Sequence, residues 1–229
     1  MCTSIISNRN KTLVGWNLDL LDMEYRVRPN EDGVYIEIND KTEGWMPLFG
    51  ANHRGEFVGM PACWPYDAKS DPRGGKPDII HLNIDLLRMN KTFAEIKAIA
   101  ERGCITSVPG LTFMGALSDA QGNLLHIVPG QGTMYYPKPQ YKVLTNFSPF
   151  KMDREKHPWM GWDRYILANS LLSQASDELD VSGMFDILQQ VSQTICPTVV
   201  SMVLDVTDRK VYWCENRFWN KVEEFDLQD

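Results

Sequence analysis

The sequence is short of histidine, has no paired-cysteine motif and contains no long apolar run. Its four histidines, His53, His81, His126 and His157, lie far apart and share no metal-ligand spacing, so neither a metal site nor a cofactor is expected. The five cysteines, Cys2, Cys63, Cys104, Cys196 and Cys214, form no CxxC pair, and most read as buried reduced thiols of a cytoplasmic protein. No apolar stretch reaches the roughly 18 residues a spanning helix needs, and no signal-peptide pattern stands ahead of Cys2. No membrane span is expected, and the expected location is cytoplasmic. An excess of positive charge is missing too: the formal net charge is −7 with scattered basic residues, which argues against nucleic acid as the main partner. Repeats, low-complexity tracts and linkers are absent, so the 229 residues read as one domain, 1–229, with a sizeable core.

What is present begins at once, with Met1-Cys2-Thr3-Ser4-Ile5-Ile6-Ser7. The second side chain is small enough for Met-removing aminopeptidases. A chain that starts at Cys2 carries a nucleophile and a base on one residue, because its free α-amine can take the thiol proton directly or through a water. The reference values, about 7.7–8.0 for the amine and about 8.5 for the thiol, make that exchange cheap near cellular pH. Most cysteines at position 2 do no chemistry, so the context decides. Thr3 to Ser7 alternate in a β-branched run, Asn8-Arg9-Asn10-Lys11 reads as a turn, and Thr12-Leu13-Val14-Gly15-Trp16 as the returning strand. That hairpin puts Cys2 on a rigid strand end near Asp19. If the strand continues, Asn17 and Asp19 face one way and Trp16 and Leu18 the other, so Asp19 can accept from a Cys2 ammonium.

Further hairpins are expected around 30–33 and 53–55. An irregular Pro/Gly-rich stretch from Pro61 to Pro77, with Cys63-Trp64-Pro65-Tyr66, reads as a substrate-side loop. A helix is expected over 79–89. A second starts at Lys91-Thr92, with a capping box at Thr92 and Glu95 and a stop at Gly103. Leu111 to Leu117 reads as a strand buried on both faces, with Leu124 to Val128 returning and His126 packed inside. Asn146 stands where the Tyr141–Leu144 strand ends, a good position for a donor to an oxyanion.

The helix opening at Trp162-Asp163-Arg164 continues with Leu167, Ala168, Leu171 and Ala175, which puts Arg164 on its own apolar stripe. A cation there enters a buried face at the positive end of a helix dipole, so an anion is expected beside it: Asp163, a thiolate, Asp19 or an acyl substrate. A last helix spans Val181 to Gln193, and the closing hairpin joins Thr198–Val206 to Lys210–Cys214. Strands, helices, strands, helices, strands in that order suggest two antiparallel sheets between helices.

Met1-Cys2-Thr3-Ser4, Gly15-Trp16-Asn17-Leu18-Asp19, Val143-Leu144-Thr145-Asn146 and Asp163-Arg164-Tyr165, in this order, resemble the N-terminal-nucleophile (Ntn) hydrolases of the choloylglycine hydrolase and penicillin V acylase type. Related acyltransferases acting on acyl-CoA and 6-aminopenicillanic acid are similar. Weaker similarity extends through Gly50–Gly55, Leu86–Thr92 and Val203–Val206. The resemblance implies an α+β fold, an αββα four-layer sandwich of two antiparallel sheets flanked by helices. It implies cleavage of a linear, non-peptide amide in a small N-acylated substrate. Cys2 is then the nucleophile and its amine the base, Asp19 orients the amine, Asn146 helps form the oxyanion hole, and Arg164 balances charge.

Two positions depart from that pattern. Trp16 stands where the family commonly has an arginine, which removes a positive charge near the thiol or walls the acyl pocket. Met60-Pro61-Ala62 replaces an asparagine of the oxyanion hole, so a second donor has to be a backbone amide such as that of Ala62. The chain is shorter than typical bile-salt hydrolases, and bile salts are not assigned. An acyltransferase and a catalytically inactive small-molecule binding relative stand as alternatives, and a homo-oligomer is compatible with the sequence.

Overall fold

The structure, a computed structural model, describes residues 1–64, 75–108, 111–150 and 160–228. The opening hairpin forms as its alternation predicts: β1 (Cys2–Asn8) pairs antiparallel with β2 (Thr12–Asp19), Cys2 opposite Leu18. Even-numbered Cys2, Ile6, Val14, Trp16 and Leu18 join the core between the two sheets, while odd-numbered Ile5 and Leu13 face a helix layer. This is the period-two consequence of a strand buried on both sides.

The strands that follow are β3 (Tyr25–Asn30), β4 (Gly33–Asp40), β5 (Gly44–Asn52) and β6 (Phe57–Gly59). Helices α1 (Ile79–Leu87) and α2 (Phe93–Glu101) come next, then β7 (Gly115–Ser118), β8 (Leu124–Val128), β9 (Gly132–Tyr136) and β10 (Tyr141–Leu144). Helices α3 (Trp162–Gln174) and α4 (Val181–Gln190) precede β11 (Thr198–Asp205), β12 (Lys210–Glu215) and β13 (Glu223–Asp226). Two sheets result, one ordered β10-β1-β2-β11-β12-β13 and the other β3-β4-β5-β6-β7-β8-β9. All their pairings are antiparallel.

Three apolar layers hold the elements together. Trp16, Leu18, Met202 and Leu204 of the first sheet meet Ile36, Phe49, Phe57 and Ala116 of the second. Ile79, Leu82, Leu86 and Ile96 of α1 and α2 pack on the outer face of the second sheet. Ala168, Leu172, Met184 and Leu188 of α3 and α4 cover the outer face of the first. The order is helix, sheet, sheet, helix: the αββα sandwich. Close approach between the sheets depends on Gly59, where a Cβ would stand 2.8 Å from Cζ3 of Trp16. Trp16 also stacks on Phe49, ring centroids 5.5 Å apart.

Local signals account for three of the four helix starts among the described residues. Asp78 caps α1 through Ile80 N–H (2.8 Å), and Asp180 caps α4 through Gly183 N–H (2.8 Å). The capping box at Thr92 and Glu95 is present with both of its bonds. Other expectations are corrected. Helix α1 ends at Leu87 and α4 at Gln190, each short of its apolar pattern. The strand expected over Leu111–Leu117 is regular only from Gly115; Phe113 makes a single bridge to Ala62. Strand β13 carries no alternating apolar signal, Glu-Glu-Phe-Asp, and forms by pairing with β12. Of the Pro61–Pro77 stretch, residues 65–74 lie outside the described residues. Among the described residues no helix is long and apolar enough to cross a membrane.

Candidate active site

Strand register brings Cys2, Asp19 and Asn146 together, and helix α3 adds Arg164. Ser4 pairs with Leu144, so two residues further on Asn146 stands opposite Cys2, just past the end of β10. There the side chain continues the ladder: the Cys2 backbone N–H donates to Asn146 Oδ1 at 3.0 Å. On the other side Met1 and Asp19 exchange backbone bonds, Asp19 N–H to Met1 O and the Met1 amine to Asp19 O, each 2.9 Å. The Met1 amine also lies 3.8 Å from Cys196 Sγ.

Arg164 enters from the first turn of α3 and is 4% exposed. One guanidinium nitrogen donates to Cys2 O (2.6 Å) and Thr3 Oγ1 (2.7 Å), the other to Asn146 Oδ1 (2.8 Å). Its counter-charge is Asp19, 3.7 Å away and 2% exposed. The adjacent Asp163 is exposed, so of the anions open to Arg164 the fold supplies Asp19. The helix departs from its expected stripe in another respect: Arg164, Ala168 and Leu172 are buried, and Leu167 is exposed. Gly161 makes room for the guanidinium. Its φ is +78°, and a Cβ there would lie 2.6 Å from an Arg164 terminal nitrogen.

Asp19 is bound on its other side by two residues without a sequence motif. Thr198 Oγ1 donates to it at 2.6 Å, and Gln193 Nε2 donates as well. The signal for Thr198 was positional only: β11 pairs with β2, and Thr198 stands directly opposite Asp19. Burial raises the Asp19 carboxyl to about 6, against the pull of Arg164, Thr198, the chain's amine and Gln193. In this Met1-bearing chain the Cys2 nitrogen is a peptide N–H directed at Asn146, and the Asp19 carboxylate is held by Arg164, Thr198 and Gln193.

The Cys2 thiol is buried between the sheets, and burial pushes it up to about 11 although the nearby amine and Arg164 oppose the rise. At neutral pH it is a thiol, a poor nucleophile. The amide of Asn146 turns its nitrogen to Ala62 O (2.7 Å). The Ala62–Phe113 bridge is flanked by Cys63 N–H to Thr112 O (2.6 Å) and Met114 N–H to Pro61 O (2.8 Å). In that antiparallel pattern Ala62 directs its own N–H and C=O away from Phe113, to the side where Asn146 lies. Trp16 is fully buried beside Ser4 on the same sheet face as Cys2. His126 is packed as expected, 1% exposed, with burial first and Lys142 second holding it down to about 3. Among the described residues, cavities of about 340 Å³ by Cys104 and Gln131 and about 430 Å³ by Arg28 and Arg88 lie apart from Cys2. No group of three or more His, Cys, Asp or Glu that could hold a metal occurs among the described residues.

Neither the family models nor the curated proteins gave a match to this sequence. Solved structures do match by shape. A variant of conjugated bile acid hydrolase from Clostridium perfringens superposes with a TM-score of 0.67 at 14% identity, covering 100% of this chain and 93% of that one. A second variant of that enzyme gives 0.66 at 13% identity, covering 99% and 93%. Penicillin V acylase from Agrobacterium tumefaciens gives 0.65 at 14% identity, covering 100% and 87%. At this identity the likeness establishes the fold alone, an αββα sandwich of two antiparallel sheets, which is the architecture the sequence resemblance implies.

Proposed function

We propose that the chain, once Met1 is removed, is an N-terminal cysteine amidohydrolase of the choloylglycine hydrolase and penicillin V acylase type, acting on linear amides of small N-acylated compounds. The observation that carries this reading is the meeting of Cys2, Asp19, Asn146 and Arg164, drawn from residues up to 162 positions apart, around the first peptide unit of β1. A buried cation and a buried carboxylate are expensive to desolvate and contribute little net stability, so their placement against Cys2 favours a chemical role.

Removal of Met1 converts the Cys2 nitrogen from a peptide N–H into an amine held beside Asn146 Oδ1. That amine accepts the thiol proton and becomes an ammonium whose charge Asp19 stabilises, and the thiolate attacks the acyl carbon. The oxyanion is met by the Asn146 amide nitrogen, which carries a second hydrogen besides the one given to Ala62 O, and by the Ala62 N–H. As the C–N bond breaks, the ammonium returns its proton to the departing amine, leaving a thioester on Cys2. Water, activated by the same amine, releases the acid and restores the thiol. Arg164 fixes Cys2 O and Asn146 Oδ1, which keeps the asparagine's nitrogen on the substrate side. With Met1 in place the Cys2 nitrogen is a peptide N–H that cannot take the thiol proton, and the chain is a precursor. Five cysteines that stand outside any disulfide fit a reducing, cytoplasmic setting, with 1–229 working as one domain.

The test is a panel of N-acyl amides with the Cys2-started protein, followed by amine release. Turnover that disappears in Cys2→Ala supports the reading; no turnover across acyl lengths, or turnover that survives Cys2→Ala, overturns it. Added amine acceptors distinguish a hydrolase, which yields only free acid, from an acyltransferase.

A further inference from the structure

We infer that Thr198, supported by Gln193, is a positioning residue that keeps Asp19 ionised and aimed at the chain's amine. The inference rests on the proposed chemistry of Cys2 but concerns residues outside it. Asp19 lies at the last position of β2, with Thr198 of β11 opposite it on one side and Met1, just ahead of β1, on the other. Two donors reach its carboxylate from the β11 side, Thr198 Oγ1 on one oxygen at 2.6 Å and Gln193 Nε2 on the other. The two donors are locked to each other: Gln193 N–H donates to Thr198 Oγ1 at 2.9 Å, and Thr198 N–H donates to Gln193 O at 3.1 Å. The Thr198 hydroxyl therefore accepts from one backbone group and directs its single proton at Asp19, so its orientation is fixed.

The same short connection between α4 and β11 makes two more contacts with the chain's start. Pro197 O accepts from Leu20 N–H at 3.1 Å, and Cys196 Sγ lies 3.8 Å from the Met1 amine. Residues 193–198 thus form a clamp around the end of β2. Among the described residues the charged and titratable groups facing Asp19 are Arg164 from α3, the Met1 amine just ahead of β1 and the Cys2 thiol, with Thr198 and Gln193 as neutral donors. Both donors favour the carboxylate over the carboxylic acid. Removing one makes Asp19 protonate at higher pH, and a neutral Asp19 no longer holds an ammonium.

The experiment compares Thr198→Val and Thr198→Ser in protein that starts at Cys2, using two readouts. The first is the titration of the Asp19 side-chain carboxyl by carbon NMR, with Asp19→Asn identifying the signal. The second is the acid limb of kcat/KM on an N-acyl amide. In Thr198→Val the titration moves to higher pH, and activity falls about five-fold at pH 6 while staying within about two-fold at pH 8, the size expected for one charge-assisted hydrogen bond. Thr198→Ser keeps the hydroxyl and restores both. An unchanged Asp19 titration in folded Thr198→Val overturns the inference, as does a uniform loss of activity at all pH values. The NMR readout needs no turnover, so a failure of the amidase reading itself leaves this result separately legible.

Discussion

Helix α1 lays Ile79, Leu82, Leu86 and Leu87 on the seven-stranded sheet, whereas α3 lays Arg164, Ala168 and Leu172 on the six-stranded one. The first contact is apolar and works by area: each fully buried aliphatic side chain contributes about 1.5–3 kcal/mol. The second places a guanidinium where a leucine would fit and surrounds it with Cys2 O, Thr3 Oγ1, Asn146 Oδ1 and Asp19. Such an arrangement adds little stability, since desolvation opposes the attraction. It adds position. One helix layer makes the sandwich stand, and the other aims the groups around Cys2.

The largest effects should separate the two layers. Leu86→Ala is expected to cost about 2–5 kcal/mol of stability, read by urea denaturation, while the folded fraction keeps its kcat/KM within about two-fold. Arg164→Ala is expected to cost about 3–5 kcal/mol, because Asp19 is left buried without a counter-charge, and in addition to lower kcat/KM about 1,000-fold. Equal activity losses in the two variants would erase the distinction.

The next effect is a pH dependence confined to the site layer. The folded Asp19 carboxyl titrates at about 6, above the ordinary carboxylate value of 3.8, so the folded protein holds this proton more tightly than the unfolded chain does. Its contribution favours folding at pH below about 4 and is lost as pH rises through 6, a change on the order of 2–3 kcal/mol. Stability curves of the native protein and Asp19→Asn should therefore diverge over that window and run parallel above it. Activity runs the opposite way, falling as pH drops below about 6, because the neutral carboxyl no longer supports an ammonium.

Gly161→Ala tests the aim of Arg164 alone. The left-handed φ of +78° costs an alanine about 1 kcal/mol, and the new Cβ, 2.6 Å from the guanidinium, displaces it. Activity should fall at least ten-fold, well beyond the stability loss. The smallest effect belongs to the other layer: Thr92→Ala removes the capping box of α2, costs about 1 kcal/mol in thermal or urea unfolding, and leaves activity unchanged.

The apolar layer was the more legible one in the sequence. The capping box at Thr92 and the start of α1 at Ile79 are local patterns, and each formed as read. In the site layer, Arg164 stood out because a cation interrupted an apolar stripe, and Asp19 and Asn146 because they end strands. Their partners were not legible. Thr198 and Gln193 meet Asp19 across about 175 residues of chain through the pairing of β2 with β11, and no local motif encodes that register. The choice of Asp19 over the neighbouring Asp163 as the partner of Arg164 has the same origin: α3 turns Asp163 to solvent, and strand order delivers Asp19 to the guanidinium.

The most direct measurement is the intact mass of two purified forms, one starting at Met1 and one at Cys2, each mixed with an N-acyl amide and quenched in acid within a turnover. The Cys2-started form should gain the mass of one acyl group, mapped to Cys2 and released by hydroxylamine, while the Met1-bearing form, with its thiol pushed up to about 11, gains none. Acylation at equal rates in both forms, or at any site other than Cys2, would contradict the account.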